Sequence, residues 1–160
     1  MLARAAEEAK SDGKFLVVYM HKPLYSGGNH IDDMDTIAIK KFYAPLFDRL
    51  GVDLVVAGHD HVYTRSMVDG NGNRSDNAPI YITAGHAGSL KWYSGTDYEV
   101  ENKDPILPNY EFLDFNSNDY EWRTNPIYCE LVIEGNSMTI NAYRIENNES
   151  ILFDSYSLSK

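Results

Sequence analysis

A single cysteine, Cys129, stands in the 160 residues, so neither an internal disulfide framework nor a multi-cysteine zinc site is available. Basic residues are scarce as well: 14 lysines and arginines face 24 aspartates and glutamates, a formal charge of -10. Phosphate backbones and anionic lipid repel such a surface, which argues against a nucleic-acid coat or a membrane-surface role. A small anionic substrate stays open, because a local metal or basic cluster outweighs the global field. Long apolar runs are missing too. Phe15–Met20 and Leu54–Ala57 are far too short for a membrane span. There is no internal repeat and no low-complexity tract. What remains is ordinary: 43% hydrophobic and 24% charged residues, enough for one folded domain or a large piece of one.

Met1-Leu2-Ala3-Arg4 opens directly into a helical pattern, with no signal peptide before it. Leu2, Ala5, Ala6 and Ala9 form a narrow apolar stripe, and Asp12-Gly13 ends it. A chain that starts inside its first helix is either a natural start or a cut from a longer protein, and the cut is the reading preferred here. Phe15–Met20 reads as a strand buried on both faces, and Val52–Ala57 as a second. Between them, Met34, Ile37, Ala38, Phe42, Leu46 and Leu50 mark an amphipathic helix over 34–50, with a kink or break expected at Pro45. Strand, helix, strand at this spacing is a crossover unit of an α/β sheet.

Val62–Val68 and Pro79–Thr83 read as further strands, joined through Asp69-Gly-Asn-Gly-Asn73, a turn rather than a calcium loop. Residues 127–160 alternate as antiparallel hairpins turned at Gly135-Asn136 and Asn147-Asn148. We therefore divide the chain into a strand and helix region over 1–86, a long aromatic loop over 87–126 and closing strands over 127–160. The loop holds Trp92, Tyr93, Tyr98, Tyr110, Phe112, Phe115, Tyr120 and Trp122, and reads as a substrate lid or as packing.

The five histidines are His21, His30, His59, His61 and His86. Three of the strands run into a histidine at their carboxyl ends, where open α/β sheets place their ligand sites. Imidazole is the commonest side-chain metal ligand and suits zinc, iron and manganese. In an extended His59-Asp60-His61 both rings point to one side and Asp60 faces away. His-x-His alone is a weak signal. Val18-x-x-His21 together with Gly58-His59-x-His61, one helix apart, is a much stronger one.

At these residues the chain resembles the second half of a calcineurin-like metallophosphoesterase, closest to the purple acid phosphatase branch. The resemblance rests on Val18-Tyr-Met-His21-Lys-Pro-Leu-Tyr25, on Val52-Asp-Leu-Val-Val-Ala-Gly-His59-Asp-His61-Val-Tyr-Thr-Arg65 and on Pro79-Ile-Tyr-Ile-Thr-Ala-Gly85. It implies an α/β fold, the C-terminal half of a metallophosphoesterase β-sandwich flanked by helices and ending in antiparallel hairpins. It also implies hydrolysis of phosphate esters at two divalent or trivalent ions (iron, manganese or zinc), and export from the cell. By the family pattern His21 and His59 bind one ion and His61 the other. His30 matches the histidine that contacts the phosphoryl group or protonates the leaving oxygen, within Asn29-His30-Ile31 rather than the paired histidines of plant members.

The family's carboxylate-bearing motifs, Gly-Asp-x-x-Tyr and Gly-Asn-His-Asp/Glu, do not occur here. The expected partner is therefore a missing N-terminal half. Its absence would leave a strand edge unpaired, a route to dimerisation or aggregation, and the isolated chain would hold an incomplete site. A second class of function stays open: a non-catalytic β-rich binding module with relict histidines or one structural metal. His86 either rims the cleft or packs beneath it. Tyr25 and Tyr63 read as packing residues, and Lys22 and Arg65 as salt-bridged side chains that could steer phosphate.

Overall fold

Side chains alternating along two central strands divide the fold into layers. The structure, a computed structural model, describes residues 1–88 and 112–160. Strands β1 (Val17–Tyr19), β2 (Leu54–Ala57), β3 (Tyr63–Met67), β4 (Ile80–Ala84) and β5 (Leu113–Asn116) form one sheet of order β1-β2-β4-β3-β5. β1, β2 and β4 are parallel, and β3 runs antiparallel between β4 and β5. The second sheet is an antiparallel meander of β6 (Ile127–Glu134), β7 (Ser137–Glu146) and β8 (Glu149–Ser159).

Leu54, Ile80 and Ile82 pack between the sheets with Ile127, Met138, Ile140 and Ala142. Val55 and Tyr81, one residue out of phase, pack on the opposite face with Ala6, Ala44 and Phe47 from helices α1 (Leu2–Asp12) and α2 (Met34–Leu50). The result is helices on a mixed sheet on an antiparallel sheet, the α/β sandwich expected of the family resemblance. Gly13 (φ 64°) and Gly51 (φ 66°) close the two helices in the left-handed conformation.

Three expectations change. First, β1 is a three-residue strand at the edge of its sheet, with Val17 and Val18 half-buried and Tyr19 71% exposed, rather than a six-residue run covered on both faces. Its ladder hydrogen bonds run to β2 alone among the described residues. Second, α2 is one helix through Pro45, whose ring lies on the exposed side. The stripe of Met34, Ile37, Ala38 and Phe42 also faces outward, because Thr36, Ala44 and Phe47 set the buried face. Third, the described part of the 87–126 loop contains β5 and two 3-10 turns, Ser117–Asp119 and Glu121–Thr124. Trp92, Tyr93, Tyr98 and Tyr110 lie outside the described residues.

A buried ion pair ties the two sheets. Asp154 on β8 accepts from Arg65 Nε at 2.8 Å and Nη2 at 3.0 Å, and from the Tyr63 hydroxyl at 2.7 Å. Both charged side chains are nearly covered, 12% and 8% exposed. Phe153 bulges out of the β7–β8 ladder beside Asp154, which lets the strand aim that carboxylate at β3. Burial, followed by Asp154, pushes the Tyr63 phenol far above its ordinary range, so it stays a donor. Asp154→Ala leaves a buried guanidinium uncompensated and is expected to cost about 3–5 kcal/mol, read as a lowered urea midpoint with an unchanged slope.

Candidate metal centre

Parallel pairing brings the three strand ends to one edge. Tyr19 lies opposite Val56, and Ala57 opposite Thr83, so the loops after β1, β2 and β4 leave the sheet side by side. His21 follows β1, His59 and His61 follow β2, and His86 follows β4. The Gly58 N–H donates to the His21 carbonyl at 3.0 Å, carrying the β1–β2 ladder two residues past the strands.

The His59-Asp60-His61 segment is not extended. His59 adopts φ 67°, and the Asp60 N–H donates to the Gly58 carbonyl at 2.8 Å. That pairing across a positive-φ residue is the rarer kind of γ-turn, and it costs on the order of 1–2 kcal/mol for a side chain larger than glycine. Its consequence is that the two rings diverge. His59 lies beside His21, with Nδ1 3.1 Å from His21 Nε2, and beside His30, with ring centres 4.6 Å apart. His61 turns instead to His86, with ring centres 6.3 Å apart.

Asp60 lies between the two diverging rings rather than opposite a matched pair, as an extended segment would have it. It is fully buried and its Oδ1 accepts from the His30 N–H at 3.3 Å. Gly28 sits against it so closely that a Cβ there would lie 2.3 Å from Asp60 Cγ. The His30 loop is held from its other side as well. Thr83 Oγ1 donates to the Tyr25 carbonyl at 3.1 Å, and Asn118 Nδ2 to the Gly27 carbonyl at 2.9 Å. His30 is thus a half-buried residue on a clamped loop, and its Nδ1 lies 3.0 Å from Asp33 Oδ2. His30, Asp33 and His59 each bring a ligand atom within 4.8 Å of the others.

Burial lowers the His59 pKa, and the charges of His30 and Lys22 lower it further against the pull of Asp60. Burial also lowers that of His86, with His61 adding to the effect. Both shifts favour the neutral imidazole, the form that carries a lone pair for a metal. Lys22 pairs with Asp35 at the start of α2 and keeps its charge near the histidines. Arg65 faces Asp154 in the core, which accounts for it as a structural cation. Tyr25 and Tyr63 are buried packing residues, as read from the sequence.

Reasoning from sequence missed Asp33 and Asp60. The signal for Asp33 is its place three residues after His30 at the N-cap of α2. For Asp60 there was none, since its inward direction depends on the φ of His59. The Gly28–Asp60 contact gives a direct check. Gly28→Ala is expected to destabilise the chain by about 1–3 kcal/mol, and adding Asp60→Ala should recover much of that loss in a double-mutant cycle of urea midpoints.

With this geometry in place, the chain can be compared with known proteins. Residues 2–63 match the family model "Calcineurin-like phosphoesterase". The chain is 32% identical over 93 residues to purple acid phosphatase 19 of Arabidopsis thaliana, covering 51% of this chain and 24% of that protein. It is 37% identical over 86 residues to the phosphoenolpyruvate phosphatase of Allium cepa, covering 47% and 18%. Acid phosphatase A of Cryphonectria parasitica is 35% identical over 94 residues, covering 55% and 18%. Among solved structures, the purple acid phosphatase from yellow lupin (Lupinus luteus) seeds superposes with a TM-score of 0.63 at 16% identity, over 91% of this chain and 25% of that one. That last likeness shows the fold. The chain spans about a quarter or less of the length of these curated relatives.

Proposed function

We propose that the chain belongs to the purple acid phosphatase branch of the calcineurin-like phosphoesterases, which it resembles, and that it supplies the histidine half of a two-metal site that hydrolyses phosphate esters. The complete site belongs to a longer parent protein, and the isolated chain is inactive. The observation that carries this reading is the meeting of His21 Nε2 and His59 Nδ1 at 3.1 Å, beside the His30 ring.

The donors suit transition-metal ions. Two imidazole nitrogens bound to one ion at about 2.0–2.1 Å each lie roughly 3–3.5 Å apart, the spacing His21 and His59 already have. The buried Nε2 of His59 has no hydrogen-bond partner among the described residues, so the ring is not committed elsewhere. His21 and His59 would hold one ion and His61 the other. When bound, the ions supply charge neutralisation at the phosphoryl group and a water of lowered pKa. The missing carboxylates come with the upstream half, whose docking edge is β1, where Tyr19 stands exposed beside the site.

His30 has the role of proton donor to the leaving oxygen. The Asp33 carboxylate at Nδ1 selects the tautomer protonated there, so proton exchange with the substrate falls to Nε2. Asp60 and Gly28 keep that ring against His59 by fixing the loop at its main chain. Lys22 draws the anionic ester toward a face that the net charge of -10 would otherwise make repulsive. Export of the parent protein is part of the same proposal.

The test assays the 160-residue chain and the parent protein with Mn²⁺ or Zn²⁺ and a chromogenic phosphate monoester. The chain alone is expected to show no turnover above its His59→Ala variant. In the parent, His59→Ala or His61→Ala should lower kcat/KM by more than the roughly 10–100-fold typical of changes around a metal's ligands, with loss of bound metal. A parent that binds no metal and cleaves no ester would leave the β-rich binding module as the surviving reading.

A further inference from the structure

Away from the histidines, three polar residues in a row are drawn into the fold. Asn116 and Ser117 are buried and Asn118 is half-buried, where β5 gives way to a 3-10 turn. Local needs explain the first two. Asn116 Oδ1 caps the turn by accepting from the Asn118 N–H at 3.1 Å. Ser117 Oγ accepts from the Tyr63 N–H at 3.0 Å, two residues after His61.

The Asn118 side chain serves neither purpose. Its Nδ2 crosses to the His30 loop and donates to the Gly27 carbonyl at 2.9 Å. Its Oδ1 is buried with no hydrogen-bond partner among the described residues. A buried acceptor left unpaired costs about 1–3 kcal/mol, which a leucine of similar shape would avoid. The bond to Gly27 is what sets an amide apart from an apolar side chain at this place.

That bond grips the loop at its middle. On one side Thr83 Oγ1 holds the Tyr25 carbonyl at 3.1 Å. On the other the His30 N–H reaches Asp60 at 3.3 Å, beyond the ordinary range for a strong N–H···O bond. Gly27 is also pressed against the turn, since a Cβ there would lie 2.8 Å from Asn116 Oδ1. The His30 ring stands beside that of His59, with centres 4.6 Å apart, so any slide of the loop moves it relative to the site.

We propose that Asn118 is a positioning residue for His30: by fixing the Gly27 carbonyl it keeps the imidazole where it protonates the departing oxygen. The proposal rests on the proton-donor reading of His30 given above and adds the residue that aims it. In that step the oxygen of water bonds to phosphorus and the bond from phosphorus to the ester oxygen breaks. The ester oxygen keeps the electron pair and takes the proton from Nε2, and the attacking water releases a proton to solvent. An alkyl ester depends on that proton, because its alkoxide is a poor leaving group. A nitrophenyl ester leaves as a stabilised phenolate and scarcely needs it. Alkyl esters are therefore the substrates that feel Asn118.

The experiment compares kcat/KM of the parent protein, with Mn²⁺ or Zn²⁺, on glycerol phosphate and on nitrophenyl phosphate. General acid catalysis is worth about 10²–10⁴-fold, and a misplacement of about 1 Å costs on the order of 10²-fold. His30→Ala is expected to lose about 100-fold on the alkyl ester, and Asn118→Leu about tenfold, each with less than about threefold on the nitrophenyl ester. Adding Asn118→Leu to His30→Ala should cost nothing further on the alkyl ester, since residues acting through one another are not additive. Gly27→Ala, which displaces the loop from its other side, should repeat the selectivity even if Asn118→Leu proves unstable in urea. In the 160-residue chain, hydrogen exchange of the His30 amide should speed up about tenfold in Asn118→Leu, with β2 and β4 unchanged. Equal losses on both esters, or additive losses in the double variant, overturn the role of Asn118 alone. A His30→Ala variant that treats the two esters alike overturns the proton-donor reading with it.

Discussion

Everything at the candidate centre depends on parallel pairing. Three parallel strands, β1, β2 and β4, must all finish at one edge of their sheet, and the register Tyr19–Val56 and Val56–Ile82 keeps those ends level. Histidines that lie far apart in the chain are thereby gathered at that edge. The two hydrophobic layers then hold the sheet from both sides, with Leu54 and Val55 pointing in opposite directions into separate cores. The chemistry sits on an edge that the cores have already made rigid.

The second constraint is local and strained. A left-handed φ at His59 is unfavourable on its own, and the structure holds it with the Gly58–Asp60 hydrogen bond and the close packing of Gly28 on Asp60. Strain of this sort persists where surrounding contacts determine it. Here those contacts also define the distance from the His30 loop to the His59 ring. A single buried carboxylate thus links the two loops, through a main-chain hydrogen bond to His30 and through a shape that only glycine accommodates at residue 28.

Electrostatics divides in the same way between the whole molecule and the site. The chain is strongly acidic, but the face carrying the histidines has Lys22 nearby and two imidazoles kept neutral chiefly by burial. Elsewhere the charged groups are structural. Arg65, next to the histidine motif in sequence, is turned through the sheet to Asp154 on the second sheet, where it joins the two layers. Two residues along a strand reverse nothing and one residue reverses everything, so Tyr63 and Arg65 share a face and both reach Asp154.

By itself the sequence determined the element types and their order outside the 87–126 loop, and it carried the resemblance to calcineurin-like phosphoesterases. Apolar runs, glycine caps at Gly13 and Gly51 and the alternation over 127–160 are signals of short range, and the folded chain keeps them. His21, His30, His59 and His61 were likewise legible, because each lies beside a strand end or a turn that its neighbours announce. What only the tertiary structure decided were directions. The outward face of α2, the inward side chain of Asp60, the pairing of Asp33 with His30 and that of His86 with His61 each depend on a backbone angle or on a neighbour more than a helix away. Periodicity records that a residue lies on a face. Which face is buried, and what waits there, is settled by the sum of packing across the layers, and no window of sequence contains that sum.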